Sequence, residues 1–241
     1  MSVFVTSEAV EKELVWKFFG QRRNGVFVEV GANDPVAGSQ TWLLEQKGWH
    51  GVLVEPQSRH CVRLRQQRTN SQVFQVACSS PAQEGEMDLL LAEEDGSSTL
   101  QKQVDTHGTK FIGTERVKVT TLNKVLQSAG ISRIDFLSLD VEGHEVEVMH
   151  GMDFEKHKPL LILIEDGVRD LSKHKCLKSH GYKLVKRTTI NNWYVPRETD
   201  FKMNSFAEKI GLLRKMYLAL PFRKIRLYLR RHRADAKSHR T

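Results

Sequence analysis

Cysteine is scarce in this chain of 241 residues: Cys61, Cys78 and Cys176 are odd in number, widely spaced and form no C-x-x-C pair. That leaves no disulfide framework, and the three read as reduced thiols. Long apolar runs are missing too, since no stretch approaches the roughly 20 residues that a membrane-spanning helix requires. The opening segment, Met1 to Phe19, lacks the uncharged apolar centre of a signal peptide because it carries Glu8, Glu11, Lys12 and Glu13. The chain is therefore expected to stay in the cytosol. With 39% hydrophobic and 27% charged residues the composition is that of an ordinary globular protein, which excludes disorder, collagen and a coiled coil.

Acidic residues are almost absent from one region only. From Lys202 to Thr241 there are 12 Lys and Arg against Glu208 and Asp235, a net of +10, while the whole chain carries +8. Residues 1 to 201 are thus slightly acidic at −2, and the excess positive charge belongs to the last forty residues. Three segments follow: an N-terminal helical segment over residues 1 to 24, a globular domain over 25 to 200 and a basic extension over 201 to 241.

Periodicity within the globular part alternates between short apolar strands and helices. Strands are expected at 25–30, 51–54, 72–77, 135–139 and 160–164, separated by helices at 38–47, 58–69, 121–129 and 146–150. A leading helix is expected over 7–20, and helix 171–179 precedes two closing strands at 182–186 and 193–195. Between Glu86 and Val119 the rhythm changes to a hairpin-like excursion around a polar loop, Asp95 to Thr99. Apolar strands alternating with helices predict an α/β fold with a doubly wound, mostly parallel sheet. Such sheets bind ligands beyond the carboxyl ends of their strands, where strand order reverses.

Those strand ends hold the candidate site. Glu29-Val30-Gly31-Ala32-Asn33-Asp34 follows the first strand, and Glu55-Pro56 follows the second. A glycine there lets the backbone approach a ligand, and an acid at the end of the second strand can accept both hydroxyls of a ribose. A dinucleotide would want G-x-G-x-x-G, of which Gly31-Ala32-Asn33-Asp34-Pro35-Val36 has one glycine of three. S-adenosylmethionine, which has no phosphates, fits better. After the fourth strand, Asp140, Glu142 and His144 lie within five positions around Gly143 and form the best catalytic cluster in the chain. Their D-x-E-x-H spacing lacks the i, i+4 histidines of helical zinc motifs, so the metal question stays open.

The strings VFVEVGAND, WHGVLVEP, VTTLNKVL and IDFLSLDVEGHEVEVMHGMDF closely resemble the FkbM-type methyltransferases, a branch of the class I S-adenosylmethionine-dependent enzymes, over about residues 25 to 196. The resemblance implies the seven-stranded class I fold, S-adenosylmethionine as cofactor and methyl transfer to a sugar or polyketide hydroxyl. It implies further that Glu29, Gly31 and Asn33 form the first cofactor loop, that Glu55 holds the ribose, and that Asp140, Glu142 and His144 stand beside the transferred methyl. Asp140 counts with both the cofactor and the catalytic residues, and His144 or Asp140 is the expected general base. Pro35 departs from the glycine many members carry and should stiffen that loop. Gly96, Ser97, Ser98 and Thr99 make a candidate lid or acceptor contact.

In the basic extension, Phe206, Ile210, Leu213, Tyr217 and Leu220 fall on one helical face with Lys209, Arg214 and Lys215 off it. Such a helix can lie in the interface of an anionic membrane, bringing the enzyme to a polysaccharide or glycolipid acceptor; packing on its own domain and a contact between copies are the alternatives. Nucleic acid is a poor partner, because no binding module is present and D-V-E-G stands where a nucleic-acid methyltransferase would carry an N/D-P-P-Y/F turn. A second functional class, a cofactor-binding scaffold that docks through this extension, competes with the enzyme; intact Asp140, Glu142 and His144 favour the enzyme.

Overall fold

A computed structural model describes residues 8–93, 98–100, 110–168, 170–188, 190–219, 221–223 and 225. Its centre is a seven-stranded sheet in which β1 (Val26–Val30) pairs in parallel with β2 (His50–Val54) on one side and β7 (Phe136–Leu139) on the other. Beyond β2 lies β3 (Ser71–Phe74), and beyond β7 lies β8 (Leu161–Glu165), both parallel to their neighbours. The far edge is built by β10 (Asn191–Pro196), antiparallel to β8, and β9 (Tyr182–Thr188), giving the order β3-β2-β1-β7-β8-β10-β9. Strand order reverses between β1 and β7, so the carboxyl ends of β2, β1, β7 and β8 open on one edge.

Successive strand residues point to opposite faces, and the two faces fill separately. On one side Val28, Val52, Leu137 and Ile162 pack under α4 (Leu122–Ser128), α5 (Glu145–His150) and α7 (Ser172–Ser179), which contribute Leu122, Val148 and Leu177. On the other side Phe27, Leu53, Phe136 and Leu163 meet Val15 of α1 (Glu8–Phe18), Leu44 of α2 (Trp42–Gln46) and Leu64 of α3 (Ser58–Gln67). Helix α1 is bound into this unit. Its buried Glu11 accepts hydrogen bonds from Thr188, from Asn191 Nδ2 at 2.8 Å and from Trp193 Nε1 at 3.3 Å, all at the β9–β10 edge.

Two elements differ from the sequence reading. The single strand expected over 72–77 is two: after β3 the chain leaves the main sheet, and β4 (Ala77–Cys78) joins β6 (Phe111–Thr120) in a small second sheet. The hairpin-like excursion is that sheet's antiparallel pair, β5 (Gly85–Ala92) with β6. Helix α2 starts at Trp42 instead of residue 38, because Ser39, Gln40 and Thr41 are drawn onto Glu29. The basic extension opens with α8 (Phe206–Leu213), started by a capping box between Ser205 and Glu208 and continued by a π-helical turn, Arg214–Leu218. Leu220 and residues 226–241 lie outside the described residues.

Candidate active site

A cleft runs along the carboxyl ends of β1, β2 and β7, roofed by the small sheet. Gly31, Asn33, Glu55, Asp140, Glu142 and His144 line it, with Val76, Cys78, Leu89 and Leu100 as an apolar slot. Gly31 takes a positive φ of 86°, and a Cβ there would stand 1.7 Å from the Asp140 carbonyl oxygen. Only glycine lets β1 and β7 close this tightly. The same turn is fastened to β2, since Gly31 N and Ala32 N both donate to Val54 O, at 2.9 and 3.1 Å.

Glu55 locks the next step. Its Oε2 accepts from Asn33 N at 2.9 Å and its Oε1 from Gln57 N at 2.8 Å. Burial pushes the carboxyl up to about 7, against the opposing pull of those two donors. Asn33 itself sits at φ 44°, and its buried Oδ1 has no hydrogen-bond partner among the described residues.

Glu29, expected with the cofactor loop, does not line the cleft. Its carboxylate accepts from Ser39 Oγ at 2.8 Å, Gln40 N at 2.7 Å and Thr41 Oγ1 at 2.6 Å. Beneath it the fully buried Arg68 donates to Glu45 Oε2 at 2.6 Å, Thr41 Oγ1 at 2.7 Å, Ser39 Oγ at 3.0 Å and Pro35 O at 3.2 Å. Pro35 is thus one of the loop's anchor points. Asp34 turns away from the cleft too, capping Val36 N and Ala37 N at 2.9 and 2.8 Å while pairing with Arg63.

The other wall is acidic. Asp140 follows β7, and the chain then turns through Glu142 (φ 50°) and Gly143 (φ 97°) into α5. Glu165, at the end of the adjacent β8, completes a group of three carboxyls, Asp140, Glu142 and Glu165, whose oxygens lie within 4.8 Å of one another. These three have the oxygen-donor chemistry to hold a hard divalent ion. Burial among protein atoms, then the carboxylates of Glu165, Glu142 and Glu145, push the Asp140 carboxyl well above its usual range, although the residue is open to solvent along the cleft.

His144 is buried on the same wall, with Nε2 2.9 Å from Ser79 Oγ, which in turn lies 2.5 Å from Gln83 Oε1. The ring's other nitrogen, Nδ1, is buried and has no hydrogen-bond partner among the described residues. Burial lowers the imidazole pKa, countered only in part by Glu147 and Glu145, so the ring is neutral at neutral pH. Thr99 Oγ1 donates to Glu142 O at 3.0 Å and lines the cleft with Ser98, whereas Gly96 and Ser97 lie outside the described residues.

The model of the methyltransferase FkbM domain matches residues 29–215. The chain belongs to the FkbM methyltransferase family. The matched span runs past residue 196, where the motif resemblance stops, and takes in α8. No curated protein matches this FkbM chain. Among solved structures, monomeric WbdD is 11% identical with a TM-score of 0.46, over 80% of this chain but 41% of its own. The N-terminal domain of human METTL16 in complex with SAH is 10% identical (TM-score 0.43; 78% of this chain, 68% of that one). A SAM-dependent methyltransferase from Aquifex aeolicus is likewise 10% identical (TM-score 0.40; 76% and 87%).

As an FkbM methyltransferase the chain uses S-adenosylmethionine, and the residues of the cleft fit that group. The apolar slot suits an adenine, Glu55 suits ribose hydroxyls, and the unpartnered Asn33 Oδ1 and the close approach at Gly31 suit the polar tail. Glu165 and Ser79 were not singled out from the sequence. Glu165 could have been, since it follows a strand as Glu55 and Asp140 do. Ser79 could not, being 65 positions from His144.

Proposed function

We propose that this FkbM methyltransferase transfers the methyl group to a hydroxyl oxygen of a sugar, within a polysaccharide or glycolipid. The observation that carries the reading is the gathering on one cleft wall of His144, Asp140 and Glu142, with the Glu165 carboxyl clustered beside the two acids. Sugars present several hydroxyl donors at once, and a wall of acceptors suits them.

When bound, S-adenosylmethionine supplies an electrophilic methyl on a sulfonium. Glu55, Asn33 and the backbone at Gly31 would hold the cofactor, and Asp140 faces the place where the cofactor meets its acceptor. The protein's remaining work is alignment and proton removal. His144, which lines the cleft, is the base that accepts the hydroxyl proton, and Ser79, hydrogen-bonded to its Nε2, orients the ring. Asp140 is the second candidate base and serves to orient the acceptor.

The test is to incubate the purified protein with S-adenosylmethionine and panels of sugars and glycans, then to locate the transferred methyl by NMR. A methyl on a hydroxyl oxygen that disappears in His144→Ala supports the reading. A methyl found only on nitrogen or carbon overturns it.

A further inference from the structure

Helix α8 has two stripes. Leu212 and Met216 are buried against Val168, Leu171 and Leu184, which seats the helix on the domain, and Lys186 fastens its start by pairing with Glu208. The stripe singled out by periodicity points the other way. Phe206 is 79% exposed, Ile210 51%, Leu213 59% and Tyr217 45%, and Phe222 continues it at 73%. Tyr217 reaches back to His174 Nε2 with its hydroxyl at 3.0 Å, while Phe206, Ile210, Leu213 and Phe222 stay largely open to solvent, and a contiguous apolar face of this kind marks a surface that meets a partner.

Charge selects the partner. Lys209 and Arg214 flank the stripe and are exposed, and the groove beside it is lined by Lys178, Lys183 and Arg197 with no acidic residue among its lining. Net charge over residues 202–241 is +10. A second copy would set like charges against one another, and nucleic acid would leave the apolar side chains in water. Only a surface that is apolar just below an anionic layer satisfies both features. We propose that α8 and the turn after it dock the enzyme onto an anionic lipid bilayer, with Phe206, Ile210, Leu213 and Tyr217 entering the interface and the flanking cations meeting the headgroups. The helix is held on the domain by its other stripe, so docking requires no unfolding of the extension.

The experiment is cosedimentation of the full chain with vesicles of phosphatidylcholine alone and of phosphatidylcholine mixed with phosphatidylglycerol. The anionic vesicles should bind at least about tenfold more tightly, with affinity falling as salt rises, since each cation near the surface contributes roughly fivefold. Ile210→Asp with Leu213→Asp should reduce partitioning by about tenfold or more while the thermal melt and S-adenosylmethionine affinity stay unchanged, because both positions are exposed. Lys209→Glu with Arg214→Glu should weaken the preference for anionic lipid by about tenfold or more. Absence of binding to anionic vesicles at low salt, or binding indifferent to the apolar substitutions, overturns the proposal. So does sedimentation velocity showing a dimer that those substitutions make monomeric, which would assign the stripe to a contact between copies.

Discussion

The two walls of the cleft are built on opposite terms. On the β1–β2 wall most polar groups are already engaged by backbone, Glu55 by two N–H donors and the Gly31 and Ala32 N–H groups by Val54 O, with Asn33 Oδ1 the exception. On the β7–β8 wall ionisable groups are crowded, with three carboxyls together and His144 close by. The first wall is a mould, preorganised for one ligand. The second holds reactive groups in states that a ligand can change, as sites of chemistry do.

The sharpest way to separate the walls is His144→Ala, which should lower turnover by about 10²–10⁴ while leaving S-adenosylmethionine affinity within a few-fold; calorimetric titration alongside steady-state rates checks it. Gly31→Ala should break the comparison by damaging both walls together, because the added carbon strikes the Asp140 carbonyl and the residue must keep φ 86°. A loss of about 3 kcal/mol in chemical denaturation, with cofactor binding abolished, is expected.

Glu55→Ala should act on the mould alone. It should weaken cofactor binding by about 2 kcal/mol, roughly thirtyfold, with little effect on turnover at saturation. The sign of the pH dependence follows from its raised pKa. Between the ordinary carboxylate value of 4.5 and about 7 the folded protein keeps a proton that the unfolded chain releases, so the unliganded protein loses stability as pH rises through that window. Cofactor affinity should do the reverse, rising from pH 6 to pH 8 as Glu55 ionises. A flat affinity profile would remove Glu55 from the ribose role. The smallest effect belongs to Thr99→Ala, which deletes one hydrogen bond to the Glu142 carbonyl at 3.0 Å. About 1 kcal/mol, seen as a few-fold rise in acceptor KM, is expected.

The difference between the walls also explains what could be read from the chain. Strands β1, β2, β7 and β8 were legible because a parallel sheet covered on both faces demands continuous apolar runs such as Phe136-Leu137 and Leu161–Ile164. Gly31, Glu55 and Asp140 were legible because each directly follows such a run, and Asn33 because it lies in the turn that Gly31 opens. The break between β3 and β4 was hidden, since Val73, Val76 and Ala77 are equally apolar and only pairing with β6 decides where the strand ends. Glu29 shows the opposite failure: an acid inside a ligand-binding motif reads as a ligand contact, and its partners Ser39, Thr41 and Arg68 become visible only when three separate segments meet.

Ser79 touches both ends of α5: its hydroxyl meets the His144 ring, and its carbonyl lies so close to Gly151 that a Cβ there would approach it to 2.2 Å. It also follows β4 directly, in the sheet that roofs the cleft. One residue therefore ties the roof of the cleft to the side chain proposed as base, so a displacement of β4 would be felt first at the hydrogen bond between Ser79 and His144.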